Sequence, residues 1–334
     1  MENHLPDAVK RVLFHYQLHP KSYERYGHVY KIYCEEGIFA LKRLTSQARV
    51  ERMNRMKHRF LGAATRVYPI LTAQTSESII KEGDAFYYVT PWVEGIPFSD
   101  QEKRKLLLEH LARLHDSTVE LEPMEAPQKI DQAADVITQR WRAHEEWLTA
   151  FIERAEHTTY PSPFEQLVLA YYHSLVQETE TAIRALEKWK ETAKEVSMHR
   201  RVLCHGRPSI EHFICDPYGG MFISIEDATM DSPCLDLAAL FESPTEIQGP
   251  LIHELDLYEQ IFELRENEKD LLIAFLHFPS SVYRLIMRYE RYPKRGQELK
   301  FIEAFEAFHL YQPTRYDLIK ALETRNDEEA GEEE

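Results

Sequence analysis

The chain has 334 residues, a formal net charge of −16 and 43% apolar residues. This length allows two lobes with cores of their own. The acidic balance excludes non-specific nucleic-acid binding, which needs clustered Lys and Arg. The absence of any run of about 18 uncharged apolar residues predicts no membrane span. The stretch MENHLPDAVKRVLFHYQL has no basic start followed by an apolar core, so it reads as an amphipathic helix and not as a secretion signal. Cys34, Cys204, Cys215 and Cys234 form no C-x-x-C pair, which fits buried thiols in a reduced compartment.

In chain order, a helix is predicted over residues 5–18. An alternating strand is predicted from Tyr26 to Tyr33, with Gly27 near its start. Cys34-Glu35-Glu36-Gly37 then closes a hairpin onto the strand Ile38–Leu44, which carries Lys42. Residues 46–61 are helix-forming and basic, and residues 49–59 read as a solvated face or as a contact for an acidic partner. Val67–Leu71 reads as a short edge strand because of Pro69, and residues 78–92 form a further hairpin around Glu82-Gly83-Asp84. The aromatic run Phe86-Tyr87-Tyr88 reads as core. Residues 1–92 therefore read as a small antiparallel β lobe, and Val93–Pro97 as a linker.

Beyond the linker the periodicity becomes helical. Ser99 or Asp100 can cap a helix over 101–118, followed by helices over 131–156 and 164–196 and a helical region over 249–323, split near Pro279 and Pro293. One unit interrupts this lobe of residues 93–325. Residues 202–227 read as a strand, a polar loop from His205 to Glu211, and a hairpin turning at Asp216-Pro217-Tyr218-Gly219-Gly220 and ending in Glu226-Asp227. A loop and hairpin ending in carboxylates is a way to place a base and a metal ligand together. Asp236-Leu237-Ala238 opens the next helix. The tail 326–334, NDEEAGEEE, holds six acids and no base and is predicted to be disordered. Cys204, His205, His212 and Cys215 lack the paired knuckle of a zinc site.

A β lobe, a linker and a helical lobe holding one such unit make an α+β, bilobal plan. The chain resembles the protein-kinase-like superfamily of aminoglycoside and choline phosphotransferases, and within it the spore-coat CotS branch and the YsxE family. The likeness is carried by Ala40-Leu41-Lys42, the hinge from Val89 to Gly95, Leu111-Ala112-Arg113-Leu114-His115 and the stretch from His205 to Ala238.

The family's catalytic loop is H-G-D-x-x-x-x-N. His205-Gly206 matches, but Arg207 stands where the resemblance implies a catalytic Asp, and His212 where it implies a metal-binding Asn. A guanidinium accepts no proton at neutral pH, and imidazole is a poor ligand for Mg²⁺. Aligning on Pro233 and Asp236 places Ser224 at the metal-binding Asp and Glu226 at the second acid of that motif. The resemblance implies that His205 packs behind the loop, that Asp236 braces it, and that Lys42, Gly27 and Glu226 line a vestigial nucleotide cleft. It gives Lys42 a helix Glu as partner, for which Glu51 is the candidate. Glu226-Asp227 read as turn-capping acids or as weak metal candidates.

The expectation is a pseudokinase serving as a spore-coat or spore-associated structural component. It needs no cofactor, and nucleotide binding stays open. Its partners are other coat proteins, and it is placed in the mother-cell cytoplasm and then the coat. The alternative is an active small-molecule phosphotransferase using ATP and Mg²⁺, with Glu226, Asp227 or Glu211 taking over the lost roles.

Overall fold

The computed structural model describes residues 5–123, 127–244, 249–291 and 297–332, with side chains through 326. The chain runs α1 (Asp7–His15), β1 (Pro20–Tyr26), β2 (Val29–Cys34), β3 (Ile38–Leu44), α2 (Gln47–Met56), β4 (Ile80–Glu82), β5 (Ala85–Pro91) and α3 (Asp100–Ser117). It continues through β6 (Glu120–Pro123), α4 (Gln128–Glu156), α5 (Pro163–Glu195), β7 (Met198–Cys204), β8 (Phe213–Asp216), β9 (Gly219–Phe222) and β10 (Thr229–Asp231). Helices α6 (Cys234–Phe241), α7 (Leu251–Glu259), α8 (Glu266–His277), α9 (Ser280–Arg291) and α10 (Glu298–Glu332) complete it. This is the α+β, protein-kinase-like architecture that the sequence implies.

The chain forms two compact units. The first runs to Ser117 and takes in His205–Thr229; the second holds Thr118–Cys204 and everything from Met230 onward. This division differs from the boundary expected at residue 92. The reason is that α3 packs on the β8–β9 hairpin, and Arg66 and Tyr68 exchange backbone hydrogen bonds with Phe222.

In the first unit a five-stranded antiparallel sheet has the order β1-β2-β3-β5-β4. Val9, Val12 and Leu13 recur at helical spacing on α1 and are buried against Ile32, Leu41, Tyr87 and Val89. The stretch expected as one strand from Tyr26 to Tyr33 is instead a hairpin. Tyr26 pairs with Val29, and Gly27 takes φ +59° at the first central position of a two-residue turn. Val67–Leu71 is not a strand of this sheet; it makes a single bridge from Val67 to Phe222.

The second unit is mainly helical. α5 begins with a capping box, in which Ser162 and Glu165 satisfy each other's backbone N–H and Pro163 sits in the first turn. α5 packs along α4 and α8, and the rings of Trp141, Phe278 and Tyr283 stack in turn at 4.8 and 5.3 Å. Glu178, buried on α5, accepts from Arg315 at 2.5 Å and Gln312 at 2.6 Å, both on α10. The sheet β10-β7-β6 was not foreseen in its β6 strand, whose four residues are all exposed and show no alternation.

Glu266–Arg291 has the apolar composition of a membrane span. It is, however, two helices of 12 residues each, and most of it is buried inside the protein. Each is about 18 Å long, short of the roughly 30 Å of a bilayer core. The backbone of α10 continues as helix through 326–332, where disorder is predicted, and buried Asn326 donates to Asp270 at 3.0 Å. Residues 333 and 334 lie outside the described residues. All four cysteines are free thiols.

Candidate functional site

Lys42 lies mid-strand on β3, opposite Tyr88 on β5 and Val29 on β2. Its ammonium donates to Ser224 Oγ at 2.5 Å and stands 3.7 Å from Glu226 Oε1. Tyr88 Oη donates to the same carboxylate oxygen at 2.6 Å. Burial holds the Lys42 ammonium below its ordinary pKa, against the pull of Glu226, and the Arg207 charge adds to the lowering. Burial alone would raise the Glu226 carboxyl; the Lys42 charge and the Tyr88 hydroxyl outweigh it and hold the group below the usual carboxylate range. Glu51, the expected partner of Lys42, instead accepts from Gln47 and is exposed. Glu51 is the one acid of α2, and the counter-charge comes from 184 residues later in the chain.

The loop beginning at His205 is pinned to this same place. His205 is fully buried. Its Nε2 lies 2.8 Å from the carbonyl of Ile223, and its Nδ1 accepts from the Arg207 N–H at 3.3 Å. The first contact therefore requires the proton on Nε2, so the ring bridges the loop and the strand end next to Ser224. Gly206 takes φ +82°, and a Cβ there would stand 2.1 Å from the carbonyl oxygen of Asp227. No other residue admits so close an approach.

Arg207 and His212 bond to each other. The guanidinium Nη2 is 2.8 Å from His212 Nε2, and Ser209 Oγ is 2.9 Å from His212 Nδ1. Because Arg only donates, Nε2 is the acceptor and Nδ1 carries the hydrogen toward Ser209. Burial, then the charges of Arg207, His205 and Lys42, push the His212 pKa down to about 4, so the ring is neutral at pH 7. The backbone closes the arrangement, since Ile223 N–H donates to His212 O at 2.9 Å.

Ser224 has φ +66° and ψ +55°, an uncommon left-handed conformation for a residue other than glycine. It ends the return of the hairpin, which the sequence predicts as strand through Ile225; β9 stops at Phe222, and Ile225–Asp227 form a 3-10 turn. Asp227 is gripped by Arg49 from α2, through Nε at 2.9 Å and Nη2 at 2.8 Å, with Arg52 at 3.8 Å. Part of the basic face of α2 thus serves inside the protein. Arg49 and Tyr88 are site residues that sequence reasoning missed. The available signal was an Arg-rich helix following Lys42 in a chain that also carries the tandem acids Glu226-Asp227.

Beside these groups is a cavity of about 330 Å³, walled by apolar residues such as Val29, Ala40, Tyr68, Phe213 and Ile225, with Lys42, Lys103, Glu211 and Ser224 also in its lining. Gly27 is the turn between two cavity-lining residues, Tyr26 and Val29. The site residues Lys42, His205, Arg207, His212, Ser224, Glu226 and Asp227 all belong to the first unit. Asp236 belongs to the second, fully buried in the first turn of α6.

Mg²⁺ requires several hard oxygen ligands in an octahedron, and of Glu211, Glu226 and Asp227 only Glu211, on the cavity wall, is not held by a cation. Glu226 is taken by Lys42 and Tyr88, and Asp227 by Arg49. The His212 nitrogen lone pair points to Arg207. What the arrangement offers is an apolar cavity that also carries the charged groups Lys42, Lys103 and Glu211.

Residues 10–320 match the family model described as spore coat putative kinase YutH. The sequence reading also led to a spore-coat kinase family, under the name YsxE. Among curated proteins no sequence matches the chain significantly. The fold is similar to that of an aminoglycoside phosphotransferase from Alicyclobacillus acidocaldarius, 17% identical over 98% of each chain with a TM-score of 0.70. It is also similar to spectinomycin phosphotransferase APH(9)-Ia, solved with ADP and spectinomycin, at 12% identity over 94% of this chain and 97% of that one, TM-score 0.61. Choline kinase LicA from Streptococcus pneumoniae is 16% identical over 95% and 98%, TM-score 0.52.

Proposed function

The chain belongs to the spore coat YutH kinase family, and on that footing we propose that it is a coat component whose kinase fold no longer transfers phosphate. The observation that carries this reading is the bond between Arg207 and His212. In phosphoryl transfer one group at the loop takes up the acceptor hydroxyl's proton or orients it, and others hold the metal that neutralises developing charge. A guanidinium with a pKa above about 12 does neither. Ser224, at the position aligned with a metal-binding Asp, has its hydroxyl on Lys42 and brings no charge. Losing about 4 kcal/mol of transition-state stabilisation slows a reaction roughly a thousandfold. Here proton transfer and metal binding are weakened together.

A nucleotide, if held, would place its base among Val29, Ala40 and Tyr68 and its phosphates toward Lys42; when bound it supplies a transferable phosphoryl group. The protein's use of the fold is then as a binding or assembly module among coat proteins, made in the mother-cell cytoplasm and deposited on the spore. The contrary reading, an active phosphotransferase with relocated acids, uses Glu211 on the cavity wall or needs Glu226 or Asp227 released from Lys42, Tyr88 and Arg49. The test is ATP turnover by the purified chain with Mg²⁺ and a panel of amino-alcohol and sugar acceptors. No turnover above background is expected; robust turnover abolished by Lys42→Ala would refute the reading.

A further inference from the structure

We infer that a cavity in the second unit binds an arylalkylamine, a flat apolar body carrying one cationic nitrogen, with Asp231 receiving the ammonium. The inference goes beyond the functional reading and concerns a different place. Every residue lining this cavity belongs to the second unit, and every residue lining the cleft belongs to the first.

The cavity has a volume of about 580 Å³, within the range of roughly 300–1,000 Å³ that small-molecule sites occupy. Its apolar lining comes from three helices: Ile130, Ala133 and Ile137 on α4, Trp189 on α5, and Leu271 and Phe275 on α8. Ile130, Ala133 and Ile137 recur at helical spacing, so the start of α4 lends the cavity one apolar stripe. The two aromatic rings suit a flat body, and a ring face also attracts a cation.

The charged part of the lining decides the sign of the ligand. Arg200 grips Glu268 through two nitrogens and donates to the Glu263 carbonyl at 2.7 Å. Arg201 donates to Glu122 at 2.7 Å and to the Met230 carbonyl at 2.5 Å. Lys129 is engaged as well. Burial, then the Arg265 charge, lowers the His199 pKa, so that ring is neutral at pH 7. Asp231 differs from these groups. Among the described residues no cation lies within ion-pair distance of it, and Arg201 and Arg140 act on it only from further away. Its Oδ1 accepts the Ser232 N–H at 2.8 Å, and Oδ2 takes no hydrogen bond from any described residue. Asn267, 7% exposed in the first turn of α8 and also in the lining, has an Oδ1 that no described residue satisfies. An ammonium supplies both the positive charge and the N–H donors that these acceptors lack; a carboxylate or a phosphate supplies neither.

The experiment is calorimetric titration of the purified full-length chain with tryptamine and two relatives built on the same ring. Tryptophol carries a hydroxyl in place of the ammonium, and indole-3-propionate carries a carboxylate that reverses the charge. Tryptamine is expected to bind about tenfold tighter than tryptophol or better, the worth of one charge-assisted contact, and indole-3-propionate to bind weakest. Asp231→Asn keeps the Oδ1 acceptor for Ser232 and should bring tryptamine down to the affinity of tryptophol, with an unchanged thermal unfolding midpoint. Ala133→Phe, at an exposed lining position on α4, should weaken tryptamine and tryptophol alike by filling the space. No binding of tryptamine, tighter binding of indole-3-propionate, equal affinities for tryptamine and tryptophol, or wild-type affinity for tryptamine in either variant would each overturn the inference. If Asp231→Asn lowers the midpoint, Ala133→Phe and the three-ligand comparison on the unaltered chain decide the matter.

Discussion

The closeness of Gly206 to Asp227 gives the sharpest prediction. A methyl added at Gly206 would sit 2.1 Å from the Asp227 carbonyl oxygen and 2.7 Å from its carbonyl carbon, with φ at +82°. Relief requires a shift of about 1 Å to reach ordinary van der Waals contact. The loop cannot yield freely, because His205, Arg207 and His212 are bonded to each other or to Ile223. The 3-10 turn cannot yield without lengthening the two Arg49 bonds. The left-handed backbone alone costs an L-residue about 1–2 kcal/mol. Breaking one charge-assisted hydrogen bond adds about 1.5–3 kcal/mol. Gly206→Ala should therefore destabilise the first unit by about 3–5 kcal/mol. Gly83→Ala is the control, because Gly83 has φ +60° and nothing within 4 Å of the added methyl, so it isolates the backbone cost. Urea-dependent hydrogen exchange, read by mass spectrometry over β8 and β9, measures the effect where it arises. Equal costs for Gly206→Ala and Gly83→Ala would refute the packing argument.

Two other consequences can be measured. Arg315→Met strands the buried Glu178 carboxylate, whose pKa burial already raises, and should cost about 3–5 kcal/mol in urea unfolding; the double replacement Glu178→Met with Arg315→Met should recover most of that, and equal losses would show that the ion pair is not the cause. His110, His212 and His277 are each pushed by burial to a pKa of about 4, below the unfolded value of about 6.5. They are neutral in the folded protein, so the unfolded chain takes up protons first as the pH falls. Stability should thus drop between pH 6.5 and about 4, with these three contributing up to three protons to the slope, and His277→Gln should flatten it by about one proton. An unchanged slope in that variant would contradict the assignment.

The arrangement of strands and helices was largely legible because periodicity reports which side of an element is buried. It failed where that signal is absent. β1, PKSYERY, is exposed at six of seven positions and pairs along one edge only, so nothing alternates. At the site, the residue types at 207, 212 and 224 were legible as departures from a motif. Their partners were not. Lys42 meets Glu226 and not Glu51, and Asp227 meets Arg49, because these pairs are set by how the 3-10 turn after β9 lies against α2. No local pattern encodes that. The same holds for Ser224, whose left-handed backbone turns the chain so that Glu226 reaches Lys42.

The first unit is assembled from two stretches of chain, one ending at Ser117 and one beginning at His205. During synthesis the sheet and α3 leave the ribosome before the hairpin that Arg66 and Tyr68 will hold. At about 5–20 residues per second, the wait until Thr229 emerges lasts roughly 6–20 s. Through that interval Phe213 is missing from its place beside His110, and Arg49 has not yet met Asp227. The first unit therefore completes its core only after the whole of 118–204, which belongs to the second unit, has been made.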